Sequence, residues 1–250
     1  AAVGNGRIVI EAAGNGSQNL DDPIYSQGNN GHHPFLPANN SGAIMVGAGC
    51  SQINIFNTER SRLWFSNYGS RVDVQGVGED IMTTGYGTYY DDDGTNYFYT
   101  SGFNGTSSAS PIVTGAGILV QSKYKQVNGT VLSPSALKNV LINTGKIQLS
   151  GANPVTQHIG PLPDAVAAYN ATCGSHPPND NCLDAAHIDD NATCVYTSGT
   201  LDCATDDGFS LMPSCNGNSP SQEGVFYYFV AQTSSVTIHV NPTITNSLGV

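Results

Sequence analysis

The chain alternates short apolar runs with glycine-rich polar loops over roughly its first 170 residues. β-Branched and other apolar residues crowd the runs at 7–10, 43–48 and 72–74, which predicts strands. Apolar positions at helical spacing predict helices at about 108–124, from 133 to 145, and in one short turn at about 162–169. Strands and helices in this alternation predict an α/β domain over residues 1–172.

The two longer helical patterns predict different environments for their helices. The first, at 108–124, places Ile112 and Val113 on one side and mostly glycine and alanine elsewhere, so we expect it to be buried all round. The second has Ser133 in the N-cap position, Pro134 in the first turn and Gly145 at its end. This pattern predicts a helix whose role is packing.

The pattern changes from residue 173 onward. Pro177 and Pro178 form a stiff connector, and apolar runs follow at 225–230 and 236–240, the second with period-two alternation. We therefore expect a separate small all-β domain over residues 173–250, truncated at its C-terminal end.

Cysteines are concentrated in this tail, whereas Cys50 stands alone in the first domain. Their density indicates disulfides formed in an oxidising compartment. Metal-binding thiolates are the alternative, but the sequence contains no Cys-x-x-Cys pair. Because the tail has an odd number, one of its cysteines pairs with Cys50, pairs with a cysteine beyond residue 250, or has no partner. The tail cysteines are Cys173, Cys182, Cys194, Cys203 and Cys215.

The composition argues against nucleic-acid binding and against insertion into a membrane. Eight Lys and Arg residues against 19 Asp and Glu residues give a net charge of −11, which repels nucleic acids and anionic membranes. No run approaches the roughly 18 apolar residues of a membrane span. The chain opens without an initiating Met or a leader-like segment, and we expect it to be the C-terminal part of a longer protein.

One segment carries the chemistry of a nucleophile. In Gly105-Thr106-Ser107-Ser108-Ala109-Ser110-Pro111, a serine stands at the start of the predicted helix, where free N–H groups and the helix dipole favour negative charge. Proline is tolerated there because early helical N–H groups have no intrahelical partner. A structural serine-rich helix cap is the alternative.

This segment resembles the nucleophile motif of the subtilisin-like serine proteases, the subtilases, at every fixed position. Glu11-Ala12-Ala13-Gly14-Asn15-Gly16 resembles the strand and oxyanion loop of the same family. The segments at 43–48, 65–74 and 159–163 also resemble that family in the same order, so the resemblance covers residues 1 to about 170. It implies a partial subtilisin-like domain with a mostly parallel sheet and a buried nucleophile helix.

The resemblance also implies roles for individual residues. Ser107 is the nucleophile of an endopeptidase that works through an acyl-enzyme, and Asn15 is the side-chain donor to the oxyanion. Thr106 supports that site. Ala12, Ala13 and Gly14 line the primary substrate pocket, and the substrates are proteins or peptides met outside the cell.

The catalytic base is where the sequence departs from the family. Subtilases place their Asp and His before the oxyanion asparagine, but only fourteen residues precede Asn15, and they contain neither Asp-Thr-Gly nor His-Gly-Thr. None of the six histidines occupies the family position. We expect the base on an N-terminal part of the protease outside this chain, and the isolated chain to be inactive. The histidines are His32, His33, His158, His176, His187 and His239.

Two other functions fit part of the pattern. A non-catalytic secreted binding or adhesion protein would use a degenerate protease scaffold. A sedolisin-type peptidase would share the Gly-Thr-Ser nucleophile but use Glu and Asp partners at acidic pH.

No cofactor is required for this chemistry. Asp91-Asp92-Asp93-Gly94 offers the hard oxygen ligands that calcium favours, with a solvated acidic turn as the alternative. The cysteine-rich tail resembles the accessory β-sandwich modules of secreted bacterial enzymes, and either a binding or a passive role fits it.

Overall fold

The computed structural model describes residues 2–25, 35–52, 57–174, 176–189, 196–201, 203–204 and 225–240. The chain forms two compact units. The first contains Ala1–Lys125 and Gly129–Thr172, and the second contains Gln126–Asn128 and Cys173–Val250.

A three-stranded parallel sheet organises the first unit. Its strands are β1 (Ile10–Ala12), β2 (Ile44–Gly49) and β3 (Val74–Val77), in the order β1-β2-β3. Every residue of β2 is buried, as its continuous apolar run predicts. The outer strands begin two or three residues later than predicted, because register with β2 decides which residues pair.

An antiparallel hairpin follows β3 and leads the chain to the first helix. It consists of β4 (Ile81–Thr84) and β5 (Tyr99–Phe103), with an irregularity between Ile81 and Thr83. The turn between them holds the acidic run at 91–93, whose side chains are exposed. The sequence did not predict this hairpin.

Three α-helices belong to the first unit except for the last three residues of α1, Gln126–Asn128. They are α1 (Thr106–Asn128), α2 (Pro134–Asn143) and α3 (Ala165–Thr172). The predicted N-cap of α2 is confirmed, since Ser133 Oγ accepts a hydrogen bond from Ala136 N at 3.2 Å. One face of α1 packs on the sheet and on α2. This core contains Ile44, Val46, Val74, Ala109, Val113, Val120, Leu137 and Leu141.

The prediction that α1 is buried all round is wrong for one face. Ile118 and Leu119 are each 58% exposed, and Ile112 is 39% exposed. The described sheet and helices contact only the side of α1 that carries Val113 and Val120. An apolar surface is therefore left open along the helix.

The second unit shows little regular structure among its described residues. Strand β6 (Ala186–His187) pairs in parallel with β7 (Tyr227–Tyr228), which lies within the predicted strand at 225–230. The predicted strand at 236–240 is wrong, because those residues are exposed and pair with no described strand. The proposed β-sandwich stays a prediction.

Disulfides are confirmed by one bridge, which joins Cys173 to Cys203. Cys50 is a free, buried cysteine of the first unit, so it is not the partner of a tail cysteine. Cys194 and Cys215 lie outside the described residues. Within the described ranges, no helix has both the length and the apolar character needed to cross a membrane.

Candidate active site

The candidate nucleophile stands on the first turn of α1. Gly105 precedes the helix with φ of 113°, in the left-handed region that favours glycine, and its N–H donates to Gly78 O at 2.9 Å. Thr106 and Ser108 are buried on either side, whereas Ser107 is exposed. The turn therefore presents the hydroxyl of Ser107 to solvent.

Asn15 reaches this turn from the loop after β1. Its Oδ1 accepts hydrogen bonds from Thr106 N at 2.8 Å and from Thr106 Oγ1 at 3.0 Å. Because both donors hold the oxygen, the amide nitrogen Nδ2 is left as a donor on the other side of the group. The loop and the helix are joined again where Gly14 N donates to Thr106 Oγ1 at 3.1 Å.

Ser107 Oγ and Asn15 Nδ2 both lie close to Gly105. A Cβ at this position would lie 3.0 Å from Ser107 Oγ and 3.1 Å from Asn15 Nδ2. The hydroxyl and the amide donor thus border one small space, which any other side chain would fill.

This arrangement suits the stabilisation of an oxyanion. Thr106 N already donates to Asn15 Oδ1, and Ser108 N donates to Gly105 O. Asn15 Nδ2 and the Ser107 N–H are the donors that a charge developing on a carbonyl oxygen beside Ser107 would meet. The Ser107 hydroxyl has no hydrogen-bond partner among the residues that the structure describes. In the part of the chain that the structure describes, the candidate nucleophile Ser107 lies beside the candidate oxyanion donor Asn15, and no base is bonded to its hydroxyl.

The three predicted pocket residues differ in their exposure to solvent. Ala12 is exposed and Gly14 is half-buried, but Ala13 is only 8% exposed and packs with Leu20 and Met45. Successive residues at the end of a strand face opposite sides of the sheet, which accounts for this difference. Ala12 and Gly14 are the two that solvent reaches, and lining of the pocket stays a prediction.

The described histidines have other surroundings. His158 is an exposed loop residue, His176 Nδ1 lies 2.7 Å from Cys203 O, and His187 Nδ1 lies 3.3 Å from an Asp189 carboxylate oxygen. His176, His187 and His239 belong to the second unit. His32 and His33 lie outside the described residues.

Asn67 is a residue of this site to which the sequence analysis gave no role. Its Oδ1 accepts from Gly16 N at 3.1 Å and from Gln18 N at 2.8 Å, and its Nδ2 donates to Ala13 O at 2.8 Å. The available signal was its place in the segment at 65–74, which resembles the family.

The acidic turn at 91–93 is exposed, and one of its carboxylates accepts a hydrogen bond from a neighbouring tyrosine. Tyr90 Oη donates a hydrogen bond to Asp93 Oδ2, and this bond raises the pKa of Tyr90. No group of three or more His, Cys, Asp or Glu side chains that could hold a metal ion occurs in the described part of the chain. Calcium binding by this turn stays a prediction.

Comparison with known proteins agrees with the sequence motifs. The chain is 32% identical to an extracellular protease of Xanthomonas campestris over 145 residues, which are 58% of this chain and 20% of that protein. It is 34% identical to subtilisin DY of Bacillus licheniformis over 144 residues, 57% of this chain and 41% of that protein. It is 32% identical to an alkaline extracellular protease of Yarrowia lipolytica over 173 residues, 68% of this chain and 31% of that protein.

Two solved structures also match part of the chain. A lanthipeptide protease is 22% identical with a TM-score of 0.49, covering 69% of this chain and 53% of that one. A protease of Pseudoalteromonas arctica is 23% identical with a TM-score of 0.46, covering 68% of this chain and 44% of that one.

The matches cover only part of each relative. The chain spans between 20% and 41% of the length of the three curated relatives. The model of the subtilase family, however, matches residues 1–160, well over half of the chain and all of the candidate site. The chain therefore belongs to the subtilase family.

Proposed function

We propose that the protein containing this chain is a secreted serine endopeptidase that hydrolyses peptide bonds through an acyl-enzyme at Ser107. The observation that carries the proposal is the meeting of Ser107 Oγ and Asn15 Nδ2 around one small space beside Gly105. Secretion is supported by the Cys173–Cys203 disulfide and by the two relatives named as extracellular proteases.

The chemistry follows from this geometry. Ser107 Oγ attacks the carbonyl carbon of the scissile peptide as a general base removes its proton, and the carbonyl oxygen becomes an oxyanion. Asn15 Nδ2 and the Ser107 backbone N–H donate to that oxyanion. Collapse of the tetrahedral intermediate expels the amine, which takes the proton from the base, and water then releases the acyl group by the same route.

The base is a histidine oriented by an aspartate, both supplied by an N-terminal part of the protease outside these 250 residues. The exposed face of α1 supports this arrangement. Pro111, Gly115 and Ile118 follow Ser107 along one side of the helix, with Ile112 and Leu119 beside them, and all five are exposed. A contiguous exposed apolar surface that starts at the nucleophile is typical of an interaction site.

The sheet also has an unpaired edge among the described residues. In the described residues, β1 pairs with β2 on one edge only. An unpaired edge of a parallel sheet accepts a further strand. The N-terminal part of the catalytic domain would cover β1 and the apolar face of α1 together, and would bring the base to Ser107.

Proteins or peptides are the proposed substrates. Ala12 and Gly14 are the accessible positions beside the oxyanion loop and form one wall of the primary pocket, while the side chain of Ala13 supports that wall from the core. No cofactor takes part in the reaction. Calcium at the acidic turn would be structural.

Replacement of Ser107 in the complete secreted protein tests the proposal. Ser107→Ala removes the nucleophile and should lower kcat on a peptide substrate by at least about 10⁴-fold. Ser110→Ala is the matched control, a serine on the same helix that should retain activity. Activity that survives in Ser107→Ala would refute the proposal, and a wild-type protein that binds peptides without cleaving them would favour the non-catalytic alternative.

A further inference from the structure

The loop that carries Asn15 is built around the side chain of Asn67. Asn67 Oδ1 accepts from Gly16 N and Gln18 N, and Asn67 Nδ2 donates to Ala13 O. These bonds fall on both sides of Asn15 in the sequence. Asn67 N also donates to Gly14 O at 2.9 Å, so one residue holds four backbone groups of the loop.

Only an asparagine amide matches these partners. Two of the three side-chain partners are N–H donors and the third is a carbonyl acceptor, so the group needs an oxygen on one side and an N–H on the other. An aspartate would place a carboxylate oxygen against Ala13 O. A shorter side chain would leave Gly16 N and Gln18 N without their acceptor.

Gly14 is shaped to admit this side chain. Its φ is +94°, and a Cβ at position 14 would lie 2.7 Å from Asn67 Nδ2. The absence of a side chain at Gly14 therefore leaves room for the Asn67 amide directly beside Asn15.

The segment that carries Asn67 is itself held from inside by Arg62. Arg62 is 4% exposed, and its Nη1 donates to Leu63 O, Trp64 O and Ser66 O at 2.6 to 3.2 Å. Its other nitrogens donate to Gln157 Oε1 at 2.8 Å and Asn153 Oδ1 at 2.9 Å. Every one of these acceptors is neutral, and burial lowers the pKa of Arg62. The guanidinium thus fixes the backbone that leads to Asn67.

We propose that Asn67 is a positioning residue for catalysis, which holds the loop of Asn15 so that Nδ2 meets the oxyanion. Thr106 orients the amide of Asn15, and Asn67 fixes the backbone from which that amide extends. Asn67 acts on the transition state through Asn15 and makes no contact with substrate of its own. The inference rests on the proposed roles of Ser107 and Asn15.

The expected effect of losing Asn67 is a lower kcat with KM little changed. A displacement of about 1 Å in a catalytic group costs about 10²-fold, and loss of an oxyanion-hole donor costs about 10²–10³-fold in subtilisin. Asn67→Ala in the complete protein should therefore lower kcat by about 10- to 100-fold. Asn40→Ala is the matched control, since Asn40 Oδ1 accepts from Gly42 N at 2.9 Å in an exposed turn and should leave kcat unchanged.

A double-mutant cycle separates positioning from stability. If Asn67 acts through Asn15, Asn67→Ala should change kcat by less than about threefold in an Asn15→Ala background. Asn67→Asp keeps both acceptor bonds and the shape of the side chain, so it serves where Asn67→Ala folds poorly, and it should show the same dependence on Asn15.

Two results would overturn the inference. One is an equal loss of kcat in the presence and absence of the Asn15 amide, and the other is a loss that merely follows the folded fraction. Failure of the proposed function looks different, because activity would then survive in Ser107→Ala or be absent from the wild-type protein, whatever stands at position 67.

Discussion

Thr106 joins the two parts of the candidate site through a single hydroxyl. It donates to Asn15 Oδ1 and accepts from Gly14 N, so the loop after β1 and the first turn of α1 are fixed to each other. Thr106 is buried, and Ser107 beside it is exposed. The buried Thr106 therefore fixes the loop of Asn15 next to the exposed Ser107.

At the residue scale, the sequence identified candidate residues where each lies within one short motif. Ser107 and Asn15 each stand in a segment whose local sequence resembles the family, although Thr106, the partner of Asn15, lies 91 residues away from it. Asn67 and Arg62 act on groups far away in sequence, such as Gly16 N, 51 residues from Asn67, and Asn153, 91 residues from Arg62. The side chains alone do not identify such partners, and an exposed asparagine in a turn has the same local pattern.

Cys50 gives a prediction about reactivity. Burial raises the pKa of its thiol to about 12, with further contributions from a hydrogen bond to Glu79 and from the negative charges of Glu79 and Asp80. Since the thiolate is the reactive form, native Cys50 should resist iodoacetamide at pH 8 and react once the chain is unfolded. Mass spectrometry of the peptide containing Cys50 measures this, and rapid alkylation in the native state would contradict it.

The raised pKa of Cys50 also makes the stability of the fold depend on pH. A raised pKa means that folding favours the neutral thiol, so the stabilising contribution of Cys50 is complete below the ordinary pKa of 9.0 and is lost as pH rises toward about 12.

At the scale of elements, local signals predicted the helices better than the strands. The cap of α2 depends on Ser133 and Pro134 alone, and it was found as predicted. The bounds of β1 and β3 depend on register with β2, and the open face of α1 depends on which elements cover it. The local sequence pattern therefore predicts neither the strand bounds nor the exposed face of α1.

Two glycines test how closely α1 approaches the sheet. A Cβ at Gly76 on β3 would lie 2.4 Å from Ala109 O, whereas a Cβ at Gly115 on the open face of α1 would meet nothing within 4 Å. Gly76→Ala should therefore lower the free energy of unfolding by about 1–3 kcal/mol. In the isolated chain, where this face of α1 is open, Gly115→Ala should raise it by about 0.5–1 kcal/mol, because alanine has the better helix propensity.

Urea unfolding followed by far-ultraviolet circular dichroism measures both changes. If the two substitutions have effects of the same sign and size, the close contact between β3 and α1 is not as described.

At the scale of the whole molecule, the family match and the candidate site lie together in the first unit. The density of cysteines in the tail predicted disulfides and an oxidising compartment, and the Cys173–Cys203 disulfide agrees with that prediction. The fold of the second unit was less predictable, because alternation alone does not supply a partner strand, as residues 236–240 show. Its domain type and role stay predictions.

The central claim is that this chain holds an intact nucleophile and oxyanion donor while the base lies on another part of the protease. Labelling with a fluorophosphonate probe tests it, because the probe reacts with an activated serine. We predict strong labelling at Ser107 in the complete protein, none in its Ser107→Ala variant, and very slow labelling of the isolated 250-residue chain. Rapid labelling of Ser107 in the isolated chain would contradict the claim, because it would show that the base lies within these residues.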